Sequence, residues 1–175
     1  MVEKPNFNHL FDKVNEYIDI KKYDGTILIP INPTGQILLG LHGPGNQEYF
    51  RLPGSWSLLT ETKDGDPDFE TFLLRTIQEE MGIDKVEFNN FFRIEGLFSF
   101  QASPSRNGNR WLGLCVLLFF IGNPEHKFNS QDGEIIDFEW RNPSDYMSNT
   151  ETDSRRLIKS LISDSTGISA QLDFC

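Results

Sequence analysis

The sequence predicts an α+β domain in which a mixed β-sheet is flanked by helices. Three observations carry that expectation. Thr26–Ile31 is β-branched and apolar, and the turn signal Asn32-Pro33-Thr34-Gly35 leads it into Gln36–Leu41, the pattern of a hairpin. Asp68–Gly82 repeats Phe69, Phe72, Leu73, Ile77 and Met81 on one helical side, with Gly82 where a left-handed C-cap is expected. Phe-, Leu- and Val-rich segments then follow without the regular strand–helix alternation of a doubly wound fold.

The remaining elements fill in around these. Leu10, Phe11, Val14, Tyr17 and Ile18 recur at helical spacing, so residues 1–20 read as a short amphipathic helix. The Gly- and Pro-rich stretch HGPGNQEYFRLPGSW, residues 42–56, reads as a surface loop that either carries binding groups or simply connects. Val86–Phe100 and Trp111–Ile121 read as long strands separated by the polar turn SPSRNGN. Glu134–Trp140 alternates like another strand, and Ser154–Ser163 closes with a helix placing Leu157, Ile158 and Leu161 on one side. At 175 residues the chain fits one domain: a helix over 1–20, a core over 24–145, and a helix and tail over 150–175.

Composition narrows the function classes. The chain is 38% hydrophobic, 24% charged and carries 15 Phe, ample apolar material for a core. Its formal net charge of -10 argues against binding nucleic-acid backbones, where neutralising phosphates dominates affinity. A small phosphorylated ligand held by one or two Arg and a bound cation stays open. Cys115 and Cys175 form neither a disulfide framework nor a zinc pattern. The first residues, MVEKPNFNHLF, do not read as a signal peptide, and the apolar run Leu112–Ile121 is short of the roughly 20 residues a bilayer needs. The expectation is a cytoplasmic protein with no membrane segment, and a homodimer is left open. His9, His42 and His126 have no partner spacing and read as surface or loop residues.

The end of the 68–82 helix carries the chemistry. Positions three and four apart share a helix face, so Thr76 neighbours Glu79 and Glu80, and Glu80 lies at the edge of the apolar stripe. A carboxylate there is costly unless paired, hydrogen-bonded or coordinated, and adjacent carboxylates repel. A hard cation such as Mg²⁺ relieves both problems and can recruit phosphate oxygens. The alternative is that a Glu pair at a helix end is ordinary surface decoration.

The stretch Arg75–Ile83 resembles the second half of the Nudix box: an Arg-Glu, an apolar residue, any residue, Glu-Glu, any residue, Gly and an apolar residue. Arg75, Ile77, Glu79, Glu80, Gly82 and Ile83 match that pattern. Leu52-Pro53-Gly54-Ser55-Trp56 looks like the loop that opens the box, and the flanking hairpin and strands follow the family's order, so the resemblance runs from about Asp24 to Trp140. It departs at two points. Thr76 stands where the motif has the first Glu of its helix trio, and about six extra residues lie between Glu61, the favoured box Glu, and Arg75. Asp64, Asp66 and Glu70 are alternative box carboxylates.

The resemblance implies an α/β/α sandwich and a hydrolase using Mg²⁺ or Mn²⁺ to cleave a pyrophosphate bond in a nucleoside diphosphate linked to another group. It implies Glu79, Glu80 and Glu61 as metal ligands, Arg75 as partner of a box carboxylate, and Glu134 as first candidate for the base, since Thr76 cannot serve. Arg51, Trp56 and Phe50 are the candidate substrate contacts. Phe50, Trp56, Phe98 and Phe100 could stack on a base, yet aromatic residues at such density are more often core. Thr76 and the stretched box also fit a binding or regulatory module on the same fold. An isomerase resembling the isopentenyl diphosphate isomerases fits less well, because GSWSLLTET contains no Cys.

Overall fold

In the computed structural model the described residues are 18–44, 54–102, 108–145, 150 and 152–163. They form a seven-stranded mixed sheet with three helices. The strands are β1 (Gly25–Ile31), β2 (Ile37–His42), β3 (Trp56–Ser57), β4 (Leu59–Thr62), β5 (Phe92–Gln101), β6 (Leu112–Phe120) and β7 (Ile135–Arg141). The helices are α1 (Phe69–Met81), α2 (Lys85–Phe91) and α3 (Thr152–Ser163).

The expected hairpin is present but opens almost at once. β1 and β2 are antiparallel with Ile31 opposite Ile37, and each then takes other partners. β1 runs parallel to β6 along its whole length and antiparallel to β4 over Gly25–Leu28, while β2 pairs with β3 and with β7. The chain at 56–62 therefore enters the fork along β2, with Trp56 opposite Leu41, reverses at buried Leu58, and leaves along β1 with Glu61 opposite Thr26. Leu58 N–H donates to Ser154 Oγ at 3.0 Å, tying the reversal to α3.

Period-two alternation sorts the strand side chains onto two faces. Leu28, Leu38, Leu114, Val116 and Leu118 meet Phe69, Leu73, Ile77 and Met81 of α1 on one face. Ile27, Ile29, Ile37, Leu39, Cys115 and Leu117 meet Leu157, Ile158 and Leu161 of α3 on the other. A sheet apolar on both faces needs a cover on each, and the two helices make the sandwich.

Helix α1 starts at the Asp68 N-cap, whose carboxylate accepts from Thr71 N–H at 2.8 Å, and ends at Gly82 with φ 69°. One expectation fails nearby: residues 86–91 are helix, and the strand begins only at Phe92. Asp84 and Glu87 form a reciprocal capping box, each side chain accepting from the other's backbone N–H at 2.9 Å. That local closure outweighs the strand preference of Val86, Phe88 and Phe91. Of the 1–20 helix only Ile18–Ile20 is among the described residues, and Ile20–Lys22 forms a 3-10 turn.

Gly82 also admits a neighbour. A Cβ there would lie 2.0 Å from the Asn129 carbonyl oxygen, whereas at Gly65, with φ 67°, nothing lies within 4 Å. Gly82→Ala is expected to destabilise the fold by well over the ~1 kcal/mol of a left-handed alanine alone, and Gly65→Ala by about that amount. Urea unfolding of the two variants side by side measures the difference.

Candidate functional site

Glu61 on β4, Glu80 on α1 and Asp132 in the segment before β7 bring carboxylate oxygens within 4.8 Å of one another. The fork carries Glu61 to this point. Helix geometry carries Glu80, which is 2% exposed and lies on the same face as buried Thr76 and Ile77.

Glu79, one residue earlier, is turned onto Arg75, since successive helix residues do not share a face. Its carboxylate accepts from Arg75 Nη1 at 2.9 Å, one turn back, and it stands outside the trio. Arg75 is the organising cation. Its Nε and Nη2 grip Asp66 at 2.9 and 2.8 Å, Nη2 also donates to the Thr62 carbonyl at 3.0 Å, and Nη1 lies 3.9 Å from Glu61. Of the box carboxylates weighed from sequence, Asp66 takes the two-pronged contact and Glu61 belongs to the trio. The extra residues ahead of the helix thus supply Arg75's partner separately from the carboxylate at the acidic cluster.

The charges follow from these contacts. Desolvation pushes the Glu61 carboxyl above its ordinary range; the Thr62 N–H opposes it, Glu79 adds to it, Arg75 opposes it and Glu134 adds to it. Desolvation also acts on Asp66, but the Arg75 hydrogen bonds and charge outweigh it and hold that carboxyl below its usual value. The same contacts raise the Arg75 guanidinium, which stays charged.

The segment 129–134 docks on the C-terminus of α1, where the last carbonyls lack partners within the helix. Asn129 N–H donates to Met81 O at 3.2 Å and Gln131 N–H to Glu79 O at 2.9 Å. Ser130 Oγ lies 2.6 Å from Asp132 Oδ1, which also accepts from Glu134 N–H at 3.0 Å. Glu134 is two residues from Asp132, its carbonyl accepts from Gly43 N–H at 2.9 Å, and its charge reaches Glu61. Neither Asp132 nor Ser130 was a sequence candidate. The only signal was the Asp-Gly turn in NSQDG, and no spacing connects it to positions 61 and 80.

The other candidates lie elsewhere. Trp56 packs toward the α3 side of the sheet beneath the Arg141 guanidinium, 4.3 Å from its ring centre, away from α1. Phe98 and Phe100 join the same side, Phe100 under Arg156. Phe50 and Arg51 lie outside the described residues. His42 is not a surface residue: it is buried at the end of β2 with its ring Nε2 on Ser57 Oγ. Burial drives the Cys115 thiol up, away from reactivity.

A family model described as the NUDIX domain matches residues 21–161. The chain belongs to the Nudix family. Solved structures share the fold. A MutT protein from Methanosarcina mazei Go1 aligns with TM-score 0.55 and 16% identity, over 80% of this chain and 92% of that one. A C. elegans Ap4A hydrolase aligns with TM-score 0.58 and 14% identity, over 82% and 98%. The E. coli dihydroneopterin triphosphate pyrophosphohydrolase aligns with TM-score 0.57 and 13% identity, over 82% and 99%. No curated protein sequence matches the chain. Among the described residues of this Nudix domain no helix is long and apolar enough to cross a membrane.

The Asp66–Arg75 pair yields a pH prediction. A carboxyl held below its ordinary 3.8 contributes stability above that value and loses it as pH falls through the folded pKa. Asp66→Asn is expected to cost about 2 kcal/mol at neutral pH, the scale of hydrogen bonds to charged groups. Wild type and variant should converge as the medium is acidified from about pH 5 to pH 2, which thermal melts across that range measure.

Proposed function

We propose that this chain is a hydrolase that cleaves a pyrophosphate bond in a nucleoside diphosphate linked to another group, with Mg²⁺ or Mn²⁺ at its site. The observation that carries the reading is the Glu61, Glu80 and Asp132 trio, supported by family membership. Three carboxylates offering oxygens within 4.8 Å, one of them 2% exposed, fit a hard divalent cation. Glu61, Glu80 and Asp132 would hold it, with Glu79 bordering the site through Arg75. When bound, the cation supplies charge neutralisation on the phosphate oxygens, which with positioning accounts for most of the acceleration in such transfers.

The protein's own groups divide the remaining work. Arg75 clamps Asp66, Glu79 and the Thr62 carbonyl, so the segment from β4 into α1 presents Glu61 and Glu80 in fixed relation. Glu134, whose backbone N–H donates to Asp132 and whose charge acts on Glu61, is the candidate we favour to take a proton from the attacking water. Phe50 and Arg51 remain candidate substrate contacts from the 42–56 loop. Trp56 is the weakest of that set because Arg141 covers its ring. A binding module is the second reading, and Thr76 is the observation that favours it.

The experiment is release of nucleoside monophosphate from nucleoside triphosphates, dinucleotides and nucleotide sugars with Mg²⁺, with Mn²⁺ and with chelator. Release that chelator abolishes is expected. Glu134→Gln should lower kcat by about 10²- to 10⁴-fold, the usual contribution of a positioned base, while leaving the metal-dependent rise in Tm intact. Glu61→Gln and Glu80→Gln should remove both. Release indifferent to chelator would overturn the hydrolase mechanism, and nucleotide-dependent stabilisation with no release would establish the binding module instead.

A further inference from the structure

We propose that Ser130 is a positioning residue for the metal site, fixing Asp132 so that a loop carboxylate serves where Thr76 leaves the helix without one. The inference rests on the reading of Glu61, Glu80 and Asp132 as cation ligands.

Thr76 is 0% exposed and its hydroxyl donates to the Phe72 carbonyl at 2.9 Å, so it is packed helix and brings no charge to the site. The family's helix motif has a Glu at this point. The third carboxylate of the cluster comes instead from Asp132, far along the chain from the helix but beside it in the fold: the segment 129–131 is bonded to the backbone of Glu79 and Met81, the residues either side of Glu80. Its position is therefore referred to the helix that bears Glu80, and Asp132 follows two residues after Ser130.

A docked backbone alone leaves the Asp132 side chain free to rotate, and Ser130 removes that freedom. Its Oγ is 2.6 Å from Asp132 Oδ1 and 3.2 Å from Glu79 O. A hydroxyl has one hydrogen to give, and the short contact to the carboxylate is the charge-assisted one that takes it. Glu134 N–H donates to the same Oδ1 at 3.0 Å, so one oxygen receives two donors. Among the described residues no hydrogen bond reaches Oδ2, which leaves that oxygen available to a cation. Ser130 is 7% exposed, which sets it apart from a serine merely decorating the surface.

The test is Mn²⁺ binding to the full chain by calorimetry, alongside melting with and without the ion. The proteins are wild type, Ser130→Ala, Asp132→Asn, the double variant and Glu80→Gln. Ser130→Ala should weaken Mn²⁺ affinity about 10-fold, the scale on which residues that orient ligands act. Its metal-free Tm serves as the control for folding. If Ser130 acts through Asp132, the double variant should bind no more weakly than Asp132→Asn alone, within about twofold. Losses that multiply in the double variant, or a Ser130→Ala affinity equal to wild type, would overturn the positioning role. Loss of binding in Glu80→Gln with wild-type binding in both loop variants would remove Ser130 and Asp132 from the site and leave the cation reading standing. Wild type that binds no Mn²⁺ would overturn that reading and this inference together.

Discussion

Because β1 and β2 share only the Ile31–Ile37 pairing, the sheet has an opening that the chain at 56–62 fills, and the acidic site depends on that filling. The segment satisfies the edge of β2 on its way in and the edge of β1 on its way out, so unpaired backbone groups are avoided on both strands. The reversal at Leu58 is held by burial and by Ser154 from α3. Its outgoing arm then brings Glu61 to the α1 face of the sheet, from which the chain passes through Asp66 into α1. Helix, strand and loop meet where the fork opens.

Gathering carboxylates there has an electrostatic cost that the protein offsets only in part. Arg75 neutralises Asp66 through two bonds and Glu79 through one, and at 3.9 Å it does less for Glu61. Glu61, desolvated by burial, holds its proton to higher pH than an ordinary Glu, and Glu79 and Glu134 add to that. Asp66 experiences the opposite balance and stays ionised. The same guanidinium thus divides the acids into a neutralised structural group and a residual negative group. Only the second has an electrostatic reason to recruit a cation.

This division explains what could be read from sequence. The 3.6-residue period of 68–82 and the glycine at its end are local signals, and the helix with its αL cap follows them. Glu80 and Arg75 were visible through the motif, and Glu61 through its distance from the opening loop. The stretched box hid the partition between Glu61 and Asp66, because two carboxylates share what the motif assigns to one. The helix at 85–91 was missed because its aromatic and β-branched content imitates a strand, although Asp84 and Glu87 carried the capping signal. His42 was misread for a different reason: its burial comes from β2 lying between β3 and β7, a pairing that no local pattern announces. Asp132 joins Glu61 and Glu80 only because 129–131 bonds to the end of α1.

Thr76 therefore has a different meaning in the fold than in the motif. Read along the sequence, it removes a charge from a helix face that should carry three. In the folded chain that position is enclosed, its hydroxyl turned back onto the Phe72 carbonyl, and a carboxylate there would need a partner in a place already packed. The cluster reaches three carboxylates through a loop instead. A helix carboxylate is fixed by the helix itself, whereas Asp132 is fixed by the hydrogen bonds that dock its segment and by Ser130. The geometry of the site in this chain is thus set by the contact between the end of α1 and the approach to β7. Gly82 belongs to that contact as much as to the helix cap, because only a residue without a side chain admits the Asn129 carbonyl there.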